Sequence, residues 1–128
     1  MSTQVETMSA QEVATRLVQL CRDGKNVDAI NELYDENIVS IEPEGSPMGG
    51  KTVGRDAVLE STNRWFSSVE TIHSAEISDP IVAGDFFACT MTIDATYKEQ
   101  GRNKMAELCV YEVKDGRIVK DQFFYHAG

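Results

Sequence analysis

Helical periodicity in the first half of the chain and strand patterns in the second predict an α+β domain. The expected architecture is one curved, mainly antiparallel sheet with three helices packed in its concave face. Three observations carry this. Apolar residues recur at helical spacing in three segments that end by Phe66. Everything after Val69 reads as strand. Gly101 and the pair Asp115-Gly116 supply hairpin turns, so the strands form an antiparallel meander. The length, 128 residues, suits one domain with one core. Residues 1–8 are expected to be a flexible N-terminus, and 9–128 the domain.

Each element has its own signal. Ser9-Ala-Gln-Glu12 is a capping box that starts the first helix. Val13, Leu17, Leu20 and Cys21 then share one face, and Gly24 ends it. A second short helix carries Val27, Ile30, Leu33 and Tyr34 on its inner side. Asn37 to Glu42 is β-rich. Pro43 to Gly54 holds two prolines and four glycines and reads as a loop. Arg55 to Phe66 is helical again, with Ala57, Val58, Thr62, Trp65 and Phe66 as inward positions. The expected strands are Val69–Asp79, Asp85–Tyr97, Asn103–Val113 and Ile118–His126.

Composition narrows the function. Net charge is -9, which excludes a basic phosphate-binding surface and argues against nucleic acid and anionic membranes. Cys21, Cys89 and Cys109 are odd in number and widely spaced, without a C-x-x-C. Reduced thiols in a cytoplasmic protein fit better than disulfides or a zinc site. With only His73 and His126 as imidazoles, no metal site is expected. No apolar run is long enough to span a membrane, and Met1 to Thr7 lacks the apolar core of a signal peptide.

The segment Tyr34-Asp-Glu-Asn-Ile-Val-Ser-Ile-Glu-Pro-Glu-Gly45 sets Glu42 at the end of a strand, just before a turn. Catalytic side chains often sit where a rigid element meets a loop. This segment resembles the base-bearing strand of ketosteroid isomerase, in the NTF2-like (SnoaL-like) superfamily. Thr15 to Leu20 is similar to the first helix of that enzyme. Cys109 to Ile118 resembles its last hairpin, and the shared order covers roughly residues 9 to 126. The resemblance implies an NTF2-like cone with a small-molecule pocket. It places Glu42 at the proton-shuttling aspartate, Leu17 at the oxyanion-hole tyrosine and Cys109 at the protonated aspartate. Without those two donors, steroid isomerisation by that route is not expected.

Strand alternation then assigns the pocket wall. The resemblance puts Cys109 inward, so Met105, Glu107, Tyr111 and Val113 go inward with it. Cys89, Met91, Ile93 and Ala95 face the same way. The last strand depends on its turn. A type I turn with a glycine bulge at Lys114-Asp115-Gly116 pairs Val113 with Arg117 and turns Val119, Asp121, Phe123 and Tyr125 inward. A two-residue type I′ turn would instead turn Ile118, Lys120, Gln122, Phe124 and His126 inward. The bulged turn is the expected one. Glu42 and Asp121 are then the candidate acid/base pair, with Glu107 beside them. Two carboxylates in an apolar cavity push one another's pKa upward. Leu17, Met91, Glu107, Cys109 and Tyr111, with Phe123 and Tyr125, are the candidate ligand-binding residues. Cys109 is read as a buried structural thiol rather than a nucleophile. Thr90, Leu108, Val110, Ile118 and Phe124 would form an apolar outer face, the expected seam of a homodimer.

Gly45 to Thr52 satisfies the P-loop pattern G-x-x-x-x-G-K-[ST]. A P-loop needs a helix starting at the Gly-Lys-Thr. Here Gly54 follows two residues later and the helical pattern begins near Arg55, so a loop at the pocket mouth is expected instead. Three functions fit these readings. One is a cofactor-independent acid/base enzyme of isomerase, lyase or cyclase type. Another is a non-catalytic binder of a small hydrophobic molecule. The third is a dimeric interaction module without a ligand.

Overall fold

The computed structural model describes residues 7–46 and 50–126. Ser9 caps the first helix, α1 (Ala10–Arg22), in both directions. Its hydroxyl accepts the Glu12 N–H at 3.2 Å, and the Glu12 carboxylate accepts the Ser9 N–H at 3.0 Å. Val13, Ala14, Leu17, Val18, Leu20 and Cys21 are buried along one stripe. Gly24, at φ 73°, takes the left-handed conformation that ends the helix. Helix α2 (Asn26–Leu33) buries Ala29, Ile30 and Leu33. Tyr34, expected on this helix, instead opens strand β1 (Tyr34–Ile41).

The segment expected to be wholly loop contains a three-residue strand, β2 (Lys51–Val53), antiparallel to β1. Lys51 and Thr52 therefore lie in a strand, and the next helix, α3, starts at Arg55 and runs to Ser68. The confirming context of a P-loop is missing; Pro47, Met48 and Gly49 lie outside the described residues. Residues 1–6 of the expected N-terminal segment lie outside them as well. Met8 packs against the core.

Strands β3 (Val69–Ile77), β4 (Ile81–Ala83), β5 (Phe86–Tyr97), β6 (Gly101–Lys114) and β7 (Arg117–Phe124) complete the chain. The short β4 was not foreseen. The sheet runs β2-β1-β7-β6-β5-β3, with β4 also paired to β5. All pairs are antiparallel except β1 with β7. That parallel contact, which pairs Ile41 with Gln122, brings the ends of two strands far apart in sequence to the same rim. The helices cover the concave face, and the core is made of their apolar stripes and the inward residues of β5, β6 and β7.

The last hairpin differs from its expected form in an instructive way. Asp115 and Gly116 have φ of 52° and 75°, and Lys114 pairs with Arg117. This is a two-residue turn with two left-handed residues, the type I′ geometry, not the bulged turn. Ile118 therefore faces inward, opposite Val113, and is fully buried. It does not belong to the outer face. The register then shifts between Glu112 and Val113, so that Lys120 pairs with Glu112 and Asp121 with Tyr111. Val119 is the extra residue of a β-bulge, and one extra residue reverses the faces downstream. Asp121 and Phe123 point inward after all, by a route other than the expected one.

Candidate functional site

A cavity of about 170 Å³ lies between the helices and the concave sheet. It resembles in size an engineered apolar cavity of about 150 Å³ that binds benzene. Leu17 and Ile30 reach it from α1 and α2, and Thr62, Trp65 and Phe66 from α3. Met91, Ile93, Met105 and Tyr111 line it from β5 and β6. Tyr111 is held by stacking on Phe87, with centroids 4.6 Å apart and planes at 14°, and by an edge contact with Phe123. Trp65 is held edge-on against Phe66 and Tyr97. The wall is therefore largely aromatic, with Glu42 and Glu107 set into it.

Glu42 leaves β1 just before the turn at Pro43, and its N–H bonds to the Gly50 carbonyl at 2.7 Å. Its carboxylate lines the cavity and accepts a hydrogen bond from Tyr125 Oη at 2.6 Å. Tyr125 Oη lies 2.7 Å from Ser46 Oγ, so Ser46, Tyr125 and Glu42 form a continuous chain. While Glu42 is ionised, Tyr125 donates to it and Ser46 can donate to Tyr125. Burial raises the Glu42 pKa, the Tyr125 hydrogen bond opposes the rise, and repulsion from Asp121 adds to it.

Glu107 lines the cavity from β6. Burial and then repulsion from Glu42 push its pKa up to about 7. The Cys109 thiol lies 3.7 Å from Oε1 and pulls the other way. Asp121, only 1% exposed, does not line the cavity. Its Oδ2 accepts from Tyr34 Oη at 2.5 Å, and Tyr34 does line it. Oδ1 has no hydrogen-bond partner among the described residues. Burial raises the Asp121 pKa to about 6 against the pull of Ser40 and Tyr34.

Of the candidate ligand-binding residues, Leu17, Met91, Glu107 and Tyr111 line the cavity, as do Phe123 and Tyr125. Cys109 does not. It lies fully buried opposite Cys89, and its thiol is held protonated by the hydrogen bond with Cys89 and by burial. The sequence reading missed the role of Tyr34 as the link between Asp121 and the cavity. Its partner lies 87 residues away, and no local pattern announces it. Ser46 was missed too. Among the described residues no cluster of His, Cys, Asp or Glu is arranged to hold a metal ion.

The chain matches the family model for the SnoaL-like domain over residues 8–125. No curated protein matches it. Its fold is similar to that of a protein from Mesorhizobium loti provisionally described as a SnoaL-like polyketide cyclase. That protein is 30% identical, with a TM-score of 0.83 over 92% of this chain and 100% of the other. An NTF2-like protein from Burkholderia thailandensis E264 is 17% identical, with a TM-score of 0.81 over 94% and 93% of the two chains. A protein of ketosteroid isomerase-like fold from Catenulispora acidiphila DSM 44928, solved in complex with trimethylamine, is 18% identical. Its TM-score is 0.70 over 89% and 85% of the two chains. A three-helix cone on a seven-stranded sheet, a match over nearly the whole chain and a relative at 30% identity lead to one assignment: this protein is a member of the SnoaL-like domain family, with the NTF2-like fold.

Proposed function

We propose that the protein takes a small, largely apolar molecule into the cone and carries out cofactor-independent acid/base chemistry on it. The single observation that carries this reading is the chain Ser46–Tyr125–Glu42 at the edge of an aromatic-lined cavity. Glu42 is the base. It removes a proton from a carbon acid and returns it elsewhere, the chemistry shared by isomerases, lyases and cyclases. Glu107, with its pKa near 7, supplies a protonated carboxyl that can donate to a developing oxyanion. It thereby offers a donor in a wall where Leu17 offers none and which Cys109 does not reach. Asp121 acts through Tyr34, orienting the phenol, and so is a positioning residue rather than a group in contact with substrate.

A second reading is favoured by Leu17 and Cys109, the two positions where an oxyanion donor is lost: the cavity binds an apolar ligand without turning it over. We further propose that the outer sheet face, carrying Phe86, Leu108 and Phe124 exposed, is covered by a second copy. A cytoplasmic location belongs to the same reading and is supported by three free, buried thiols.

The test is native mass spectrometry of freshly purified protein, then extraction of whatever is released. A co-purifying small molecule supports a ligand site and supplies the substrate for assay. Glu42→Gln should then bind that molecule within about threefold of wild type while losing turnover by 10²-fold or more. Unchanged turnover in Glu42→Gln would remove the catalytic reading and leave the binder.

A further inference from the structure

The charge of the cavity wall is lopsided. Glu42 and Glu107 both line it, and among the described residues no lysine, arginine or histidine does. A third carboxyl, Asp121, lies behind Tyr34 with one oxygen unpartnered, and its charge is felt at both glutamates. The ion pairs that do form lie elsewhere, on the surface, as with Arg16–Glu32 and Arg102–Asp94. A cleft lined by acids, with no basic residue in its described lining, has a negative potential that its low-dielectric walls focus.

The uncharged part of the wall is equally specific. Tyr34, Trp65, Phe66, Tyr111, Phe123 and Tyr125 all face the same space. Trp65 is held by Phe66 and Tyr97, and Tyr111 by Phe87 and Phe123, so these rings keep their orientation without a ligand. The negative faces of aromatic rings attract a cation whose hydration is weak, which is how aromatic cages recognise quaternary ammonium groups. A neutral hydrocarbon would gain from the rings but would desolvate the carboxylates without offering them a countercharge. With both glutamates ionised, an anion would be repelled beside them. An alkylammonium ion satisfies both halves of the wall: its methyl groups meet the rings and its charge meets Glu42 and Glu107.

We propose that the ligand of this cavity carries an organic ammonium group, which sits among the aromatic rings with its charge against Glu42 and Glu107. This rests on the reading of the cavity as a ligand site and narrows its occupant to a cation with an apolar shell. The site then selects against carboxylated and phosphorylated metabolites of the same shape. The acids contribute electrostatic selection in addition to any proton transfer.

Three probes of matched shape separate charge from size: choline, its neutral isostere 3,3-dimethylbutan-1-ol, and the anion 3,3-dimethylbutanoate. Trp65 lines the cavity and is the only tryptophan in the chain, so its fluorescence reports occupancy directly. At pH 8, choline should saturate the signal and bind about tenfold or more tighter than the alcohol, and the anion should not bind. Glu107→Gln should weaken choline by about tenfold while leaving the alcohol within about twofold. A native-like near-ultraviolet spectrum of the variant, or a parallel Glu42→Gln variant, guards against misfolding. The alcohol binding as well as choline, or no effect of either glutamine, would overturn the ammonium assignment and leave the cavity as a site for neutral molecules. No binding of choline would overturn it too, and a co-purifying neutral or anionic molecule in native mass spectrometry would do so while preserving the ligand-site reading.

Discussion

Replacing Asp121 by asparagine should stabilise the protein more at pH 8 than at pH 5. The carboxyl is almost fully buried, accepts one hydrogen bond from Tyr34 and leaves Oδ1 unpartnered among the described residues. Its pKa rises from the ordinary 3.8 to about 6, chiefly through burial. The native state therefore holds the proton more tightly than the unfolded chain does. Between about pH 4 and pH 6 the native form binds more protons, so stability falls as pH rises through that window, and the full penalty is present above it. Each tenfold in proton affinity is worth about 1.4 kcal/mol, so the ionised carboxylate costs the native state about 3 kcal/mol at pH 8. About half of this is already present at pH 5, where the unfolded chain is mostly ionised and the native state is not. Asparagine keeps the shape and an acceptor for Tyr34 and never ionises. It also brings an amide N–H₂ whose cost, about 1–3 kcal/mol if unsatisfied, does not change with pH. The diagnostic quantity is therefore the difference in the effect of Asp121→Asn between the two pH values, about 1–2 kcal/mol in favour of asparagine at pH 8. Urea denaturation followed by Trp65 fluorescence, at fixed protein concentration, measures it. Equal effects at pH 5 and pH 8, within about 0.5 kcal/mol, would refute the assignment of a strained, titrating carboxyl at this position.

Three further outcomes are expected. Tyr125→Phe removes the hydrogen bond that holds Glu42 ionised, so the Glu42 carboxyl should titrate at higher pH than in wild type, as read by its side-chain carbon shifts in NMR. Gly116→Ala forces alanine into φ 75° and sets its Cβ 2.7 Å from Thr7 Cγ2. It should cost about 1–3 kcal/mol in denaturation, and less in a chain that begins at Ser9. Leu108→Lys with Phe124→Lys places charge at a cross-strand pair of the outer face. Light scattering should show a dimer in wild type and a monomer in the double variant, with the circular dichroism spectrum unchanged.

What was legible in the sequence was local. The capping box of α1 declares itself within four residues, and the glycine that ends the helix lies two beyond it. The long strands β5 and β6 alternate over enough residues to orient Met91, Glu107 and Tyr111 correctly. The three-residue strands β2 and β4 were invisible, one of them set among glycines and prolines, because so few residues carry no periodicity. The last hairpin shows a subtler failure. Asp-Gly is itself the signature of the turn that forms, yet the bulge at Val119 leaves no trace in an Ile-Val pair that suits either face. Two opposite slips of register, one at the turn and one at the bulge, cancelled for Asp121 and not for Ile118. The Tyr34–Asp121 bond depends on parallel pairing of the chain's first and last long strands, which no short-range pattern encodes.

The bulge at Val119 also divides β7 into two parts with different freedoms. On the turn side, Ile118 pairs with Val113 and Tyr34 and joins the core; on the rim side, Phe123 lines the cavity and Asp121 reaches it through Tyr34. Because the offset between them is absorbed at one residue, the Asp115-Gly116 tip can be lengthened, shortened or exchanged as a tag site while the cavity keeps its alignment. Deleting Val119 would remove only the bulge: Lys120 would still pair with Glu112 and Asp121 with Tyr111, so the rim half would keep its faces. The turn and the cavity wall can therefore be re-engineered separately.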